Sequence, residues 1–251
     1  MIRNCVIFRY EESWMNNLII DPSKIDHASL KNCLAVAEGR KKKRIESLAS
    51  MARKENLKLT GTTRKHQVLV AECEYRAPKL TAAGAPVFVP VSHKMWLGRS
   101  SGLVISFDAG RKLSSIGVTL LSFATTGTVS AISTEKLDKD AFMRVRDWAL
   151  AKSDGHMKRV TLADVVSGRT RFKQVVLSAG QLESSELFKD MMESSTRILN
   201  MTFTTPKLSA SSRSLNCRLT NWGGLTVYSQ DVLDSEMAEL IDTLDKELRA
   251  P

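Results

Sequence analysis

Apolar residues recur along this chain at two periods, every second residue and every third or fourth. The first marks strands with one or both faces covered; the second marks helices with one buried stripe. Residues Ile2–Tyr10 open with a short β-prone run in which Val6 and Phe8 alternate with Cys5 and Ile7. Both faces are apolar, so a strand buried on both sides is expected. Asp21-Pro22-Ser23 punctuates the chain, and from Ile25 to Leu57 the pattern turns helical. Leu30, Leu34, Ala37, Ile45, Leu48 and Ala52 form its stripe. Gly39 interrupts that stripe and Lys41 falls on it, which favours two helices or a kink. His66–Tyr75 alternates as a strand, Thr81–Pro90 is an extended segment punctuated by Pro and Gly, and Gly102–Phe107 reads as a buried strand. Leu113–Ala124 places Ile116, Leu120, Leu121 and Ala124 at helical spacing, while its β-branched residues keep a strand in competition.

The second half of the chain is more sharply patterned. Leu137–Ala151 predicts a helix with Phe142, Val145 and Ala149 inward. Met157–Leu162 and Arg171–Ser178 predict two strands joined across Ser167-Gly168-Arg169. Ser184–Arg197 predicts a helix with Leu187, Phe188, Met191 and Met192 on one side. Ile198–Thr205 alternates with Leu199, Met201 and Phe203 on one face, and Arg213–Thr220 with Leu215, Cys217 and Leu219. Gly223-Gly224 closes a hairpin onto Leu225–Ser229. A last helix, Asp234–Leu248, carries the stripe Met237, Leu240, Ile241, Leu244 and Leu248, with Asp234 and Glu236 where the helix dipole favours negative charge. Strand pairs and helices are interspersed without regular βαβ repeats. The expected fold class is therefore α+β, with largely antiparallel sheet and packed helices, and a basic helical segment near the N-terminus. The Pro/Gly-rich stretch 77–90 sets the expected boundary between a basic region, 1–80, and an α+β domain, 81–251, unless the whole forms one domain.

Charge changes this picture most. Residues 1–112 carry 20 Lys/Arg against 10 Asp/Glu and supply the whole formal +10, whereas residues 113–251 hold 17 of each. The segment Lys31–Lys65 alone has a net charge of +8 and contains the unbroken run Arg40, Lys41, Lys42, Lys43, Arg44. Arg53, Lys54, Arg64 and Lys65 extend it, and a second cluster, Lys158, Arg159, Arg169, Arg171 and Lys173, falls on one predicted hairpin. A charge run is usually a solvated helix face; segregation of sign over half a chain is the mark of a surface that meets a polyanion. Tyr10, Trp14, Tyr75 and Trp96 lie in the same half and have the chemistry to stack on bases, though core packing is the commoner use of aromatics.

The remaining chemistry is sparse. Cys5, Cys33, Cys73 and Cys217 are scattered without CxxC spacing, which predicts reduced, buried thiols in a cytoplasmic protein. The N-terminus lacks the apolar core of a signal peptide. The uncharged stretch Leu113–Thr134 is long enough to span a bilayer, but twelve of its 22 residues are Ser, Thr or Gly, so buried elements are expected there instead. No GxxxxGK[ST], GxGxxG or GxSxG motif occurs, and no cofactor is implied. His27, His66, His93 and His156 never reach the spacing that puts two metal ligands on one helix face. Glu72, Glu74 and Asp108 are the one carboxylate grouping suited to a divalent-metal nuclease, without the Glu-x-Lys or Asp-x-Lys such sites often carry.

The sequence thus leads to a non-enzymatic, cytoplasmic nucleic-acid-binding protein, using a basic helical surface for phosphate contacts to DNA or RNA with weak sequence preference. Two alternatives stand beside it. One is an interaction or scaffold subunit of a multiprotein assembly, docking an acidic partner or forming a homo-oligomer in which the C-terminal helix meets a basic face of another copy. The other is the nuclease.

Overall fold

The computed structural model describes residues 3–10, 58–65, 68–98, 103–107, 118–119, 121–122 and 132–249. The helical reading of 25–57, with Arg40–Arg44, Arg53 and Lys54, lies outside these residues, as do His27, His66, Trp14 and Asp108. Two compact units emerge: residues 6–134 form one, and residues 1–5 together with 135–251 form the other. Strand β1, Arg3–Tyr10, gives its first residues to the second unit and the rest to the first. The doubly apolar pattern of this strand is met by burial of Cys5, Val6, Ile7 and Phe8.

In the unit of residues 6–134 the strands are β2 (Lys58–Lys65), β3 (Val68–Leu80), β4 (Pro86–Gly98), β5 (Leu103–Phe107) and β6 (Ile132–Thr134). They run β2-β3-β4-β5-β1, with β6 antiparallel to β1 through Phe8↔Thr134 and Tyr10↔Ile132. Of the segment expected as extended, Thr81–Pro90, residues 81–85 are the turn of a long β3–β4 hairpin and residues 86–90 are the extended start of β4; the pairing runs from Leu80↔Pro86 to Val68↔Gly98. Gly84 takes φ +77 there, and the Thr81 carbonyl and hydroxyl accept from the backbone N–H groups of Gly84 and Ala85. The expected 80/81 boundary falls in this turn; the compact units divide at 5/6 and 134/135. In the core of this unit Trp96 meets Phe107 edge-on at 4.8 Å, with the Lys94 ammonium 5.6 Å from the Trp96 ring centre. Val118, Thr119, Leu121 and Ser122 are helical and buried, which resolves the helix–strand competition at those positions.

The other unit layers helices on one face of an antiparallel sheet, the α+β arrangement. Its strands are β7 (His156–Ser167), β8 (Thr170–Ser178), β9 (Arg197–Thr204), β10 (Asn216–Thr220) and β11 (Gly224–Val227), ordered β11-β10-β9-β7-β8. Helix α1 (Lys139–Leu150) starts at Asp138, whose carboxylate accepts from Ala141 N–H at 2.8 Å. Phe142, Val145 and Ala149 are buried, and Trp148 meets Phe203 of β9 edge-on. Helix α2 (Glu186–Ser194) is capped by Ser185 and packs on β7, while α3 (Asp234–Arg249) packs on α1 through the expected stripe. Among the described residues, no helix is long and apolar enough to cross a membrane.

Two side-chain expectations are corrected. Leu187, placed inward by helical spacing, is 54% exposed, because α2 buries only Phe188 and Met192. In β9 the inward set is Ile198, Met201 and Phe203 rather than Leu199, Met201 and Phe203. The β7–β9 register jumps from Thr161↔Asn200 to Leu162↔Ile198, so Leu199 is the extra residue of a bulge that resets the alternation.

Candidate nucleic-acid interface

Helices α1 and α2 pack on β7 and β9, and the outward positions of β9 and β10, the Leu199 bulge aside, are polar. Opposed residues in an antiparallel ladder point to the same side. The pairings Arg159↔Thr202, Thr202↔Arg218 and Arg218↔Thr226 therefore draw a row across β7, β9, β10 and β11. Strands are spaced about 4.8 Å apart, which sets the Arg159 and Arg218 backbones roughly 10 Å from each other, both side chains exposed. Thr226 carries the row on by donating to Asn4 of β1 at 3.1 Å.

A second bulge joins Lys158 to this row. The β7–β9 register shifts between Met157↔Phe203 and Arg159↔Thr202, leaving Lys158 as the extra residue. Strict alternation would send Lys158 and Arg159 to opposite faces; the bulge lets both reach one side. The Lys158 ammonium donates to Asn216 Oδ1 at 2.6 Å, and Thr204 Oγ1 donates to the same oxygen at 3.0 Å. Asn216 is in turn held by its backbone N–H donating to Ser229 Oγ. Thr161 and Asn200 form a further bonded pair in the neighbouring row. On β9, β10 and the Arg159 end of β7 the outward positions are Asn, Thr, Lys and Arg; on β8 the same face carries Ser178 opposite Arg159, Val176 opposite Thr161 and Gln174 opposite Ala163, and Glu183 stands at one end, 3.4 Å from His156 Nδ1.

The five basic residues expected together on the β7–β8 hairpin separate into two groups. Lys158 and Arg159 belong to the sheet face just described. Arg169 lies in the turn, and Arg171 and Lys173 lie on β8 near that turn, Arg171 opposite Val166, seven residues along β7 from Arg159. At about 3.3 Å per residue the separation is roughly 20 Å. Charge at this second group is partly cancelled. Asp164, at φ +51, accepts from Arg197 at 2.8 Å and Arg171 at 3.3 Å. Those guanidiniums, Arg197 foremost, hold its carboxyl below the usual carboxylate range. Arg218 and Arg197 are additions that the sequence reading missed. Arg218 was legible as an outward residue of a strand, but its proximity to Arg159 depends on strand order.

Arg64 and Lys65 lie at the end of β2, in register with Leu69 and Val68 of β3. Glu72 pairs in register with Lys94 and Glu74 with Ser92. Among the described residues no group of three His, Cys, Asp or Glu is arranged to hold a metal ion. Trp96, one of the aromatics with the chemistry to stack on bases, is 1% exposed and belongs to the core. Cys5 and Cys217 are free and buried, and burial pushes the Cys217 thiol well above its ordinary value. Comparison of the sequence with protein-family models and with curated proteins finds no match.

Proposed function

We propose that this protein binds nucleic acid chiefly through phosphate contacts, with little reading of base sequence. The observation that carries the reading is the sheet-face row in which Lys158, Arg159 and Arg218 stand among Thr and Asn side chains without a strand carboxylate. Cations supply attraction to the backbone, and hydroxyl and amide groups supply hydrogen bonds to phosphate and sugar oxygens. The absence of aromatic side chains from that row argues against base stacking as the main source of affinity. The +8 segment Lys31–Lys65 adds further positive charge in the same chain.

The test is binding of duplex and single-stranded oligonucleotides of unrelated sequence across a salt series. Affinity should fall steeply and linearly on a log–log plot, and Lys158→Gln, Arg159→Gln and Arg218→Gln together should reduce the slope by about two to three. Replacing Lys41, Lys42, Lys43 and Arg44 by Gln should weaken binding further while leaving the circular dichroism spectrum unchanged, since exposed charges contribute little to stability. Binding that is flat in salt, or absent at low salt, removes this reading. Cleavage dependent on Mg²⁺ and lost in both Glu72→Gln and Asp108→Asn would replace it with the nuclease.

A further inference from the structure

Strand β8 ends the sheet order of its unit, and among the described residues nothing pairs with its outer edge. It is nine residues long, TRFKQVVLS, and every position is exposed or half-buried. Phe172 and Val176 are 43% and 45% exposed, both large and apolar. Because strand side chains alternate, Phe172, Gln174 and Val176 share one face, while Arg171, Lys173, Val175 and Leu177 share the other. Long apolar edges are normally blunted by charge, proline or a covering element. Here the guard is limited to two cations in the first half of the strand.

We infer that β8 pairs antiparallel with β8 of a second copy of this chain, about a two-fold axis at Gln174. The sequence of the strand is self-complementary in that register and in no neighbouring one. With the axis at Gln174 all nine residues overlap, from Thr170 opposite Ser178 to Ser178 opposite Thr170. Phe172 then stands opposite Val176 of the other copy, twice over, so both exposed apolar side chains are covered by one operation. Aromatic–β-branched pairs of this kind are among the favourable cross-strand contacts. Arg171 stands opposite Leu177 and Lys173 opposite Val175, so no cation faces a cation. An axis at Lys173 would set Lys173 against itself, and one at Phe172 would set Arg171 against Lys173. An axis at Val175 would pair Phe172 with Ser178 and leave Thr170 and Arg171 beyond the strand's overlap. Full overlap closes about eight to ten main-chain hydrogen bonds on an edge that otherwise offers them to water. The two Lys173 side chains become diagonal neighbours, so salt that screens them strengthens the pairing, the opposite of the response of an acidic partner strand. This inference does not rest on the nucleic-acid reading.

The experiment uses the full chain in two forms. Light scattering after gel filtration should give a dimer mass at micromolar concentration, strengthened or unchanged by added salt. Val176→Lys should raise the dimer dissociation constant by on the order of tenfold or more while the circular dichroism spectrum is retained. Independently, Gln174→Cys should form a disulfide-linked dimer under mild oxidation, because the two Cβ atoms at the axis are about 5 Å apart. Thr170→Cys should not link to itself, because its symmetry mate lies at the far end of the strand; the unsubstituted chain reports the background of the native thiols. A monomer at all concentrations, a dimer indifferent to Val176→Lys, or equal cross-linking at 170 and 174 would each overturn the pairing. If Val176→Lys does not fold, the two cysteine variants still decide.

Discussion

Glu236→Gln should lower the stability of the unit of residues 1–5 and 135–251 by roughly 3 kcal/mol at neutral pH. Glu236 lies in the first turn of α3 with its side chain fully removed from solvent. Arg213, 23 residues earlier, donates to it through Nε and through Nη2, the latter at 2.7 Å, and Nη2 also reaches the Asp231 carbonyl at 2.8 Å. A local bond is added at Oε2, the oxygen that also accepts from Nη2: Leu233 N–H donates to it at 2.8 Å, so the side chain reaches back over the helix start as in a capping box. Arg213 foremost, with the Leu233 amide, holds the carboxyl down at about 2, from its ordinary 4.5, against the opposing effect of burial. A carboxyl depressed on folding stabilises the fold fully above its unfolded value. The contribution is lost as pH falls from about 5 to about 2. Chemical denaturation at pH 7 and at pH 3 should therefore show a large gap for the natural chain and a smaller one for Glu236→Gln. Arg213→Ala should move stability in the same direction, because it leaves a buried carboxylate without its cation. An unchanged pH profile in Glu236→Gln would show that the pair is not what makes this helix acid-sensitive.

Gly155→Ala should be similarly severe, at roughly 3 kcal/mol, for a steric reason. A Cβ at this position would overlap the backbone carbonyl of Ala149, with the Thr204 carbonyl 3.5 Å away. Backbone cannot yield as the end of a flexible side chain can. Gly155 links the end of α1 to the start of β7, with its N–H donating to the Lys152 carbonyl at 3.1 Å. The methyl would push apart an α1 whose inner residues, Phe142, Val145 and Ala149, are fully buried. A neighbouring control makes the test specific. Gly180→Ala meets nothing within 4 Å and should melt within a degree or two of the natural chain. Equal melting temperatures for the two variants would remove the close approach as an explanation of the glycine.

The local rules of the sequence were enough for several elements. The alternation of Leu215, Cys217 and Leu219 gave the buried face of β10, and the stripe from Met237 to Leu248 gave that of α3. Gly168, at φ +57, marked the two-residue turn between β7 and β8. These features depend on residues close in sequence, where period and turn chemistry act directly. The two bulges do not. Whether Leu199 or Ile198 faces the helices, and whether Lys158 joins Arg159, is set by which residue of β9 hydrogen-bonds to which residue of β7. Alternation assumes an unbroken ladder and fails by one residue beyond each break. The split of the basic hairpin residues into two groups follows from strand length, because sequence proximity across a turn becomes distance along the strands.

The sequence by itself determined the class of the fold, the inward stripes of α1 and α3, and the excess of cations in the first half of the chain. Each is a property of composition or of a repeat shorter than one element. Only the tertiary structure decided that Arg218 joins Arg159 across β9, that Arg213 reaches the buried Glu236, and that β8 is left at an edge with Phe172 and Val176 exposed. It also carried the first residues of β1 to the C-terminal unit, where Asn4 meets Thr226 from the far end of the chain. Such pairings are chosen by the order in which strands lie side by side, and that order is a free-energy minimum of the whole chain to which no single segment holds the key.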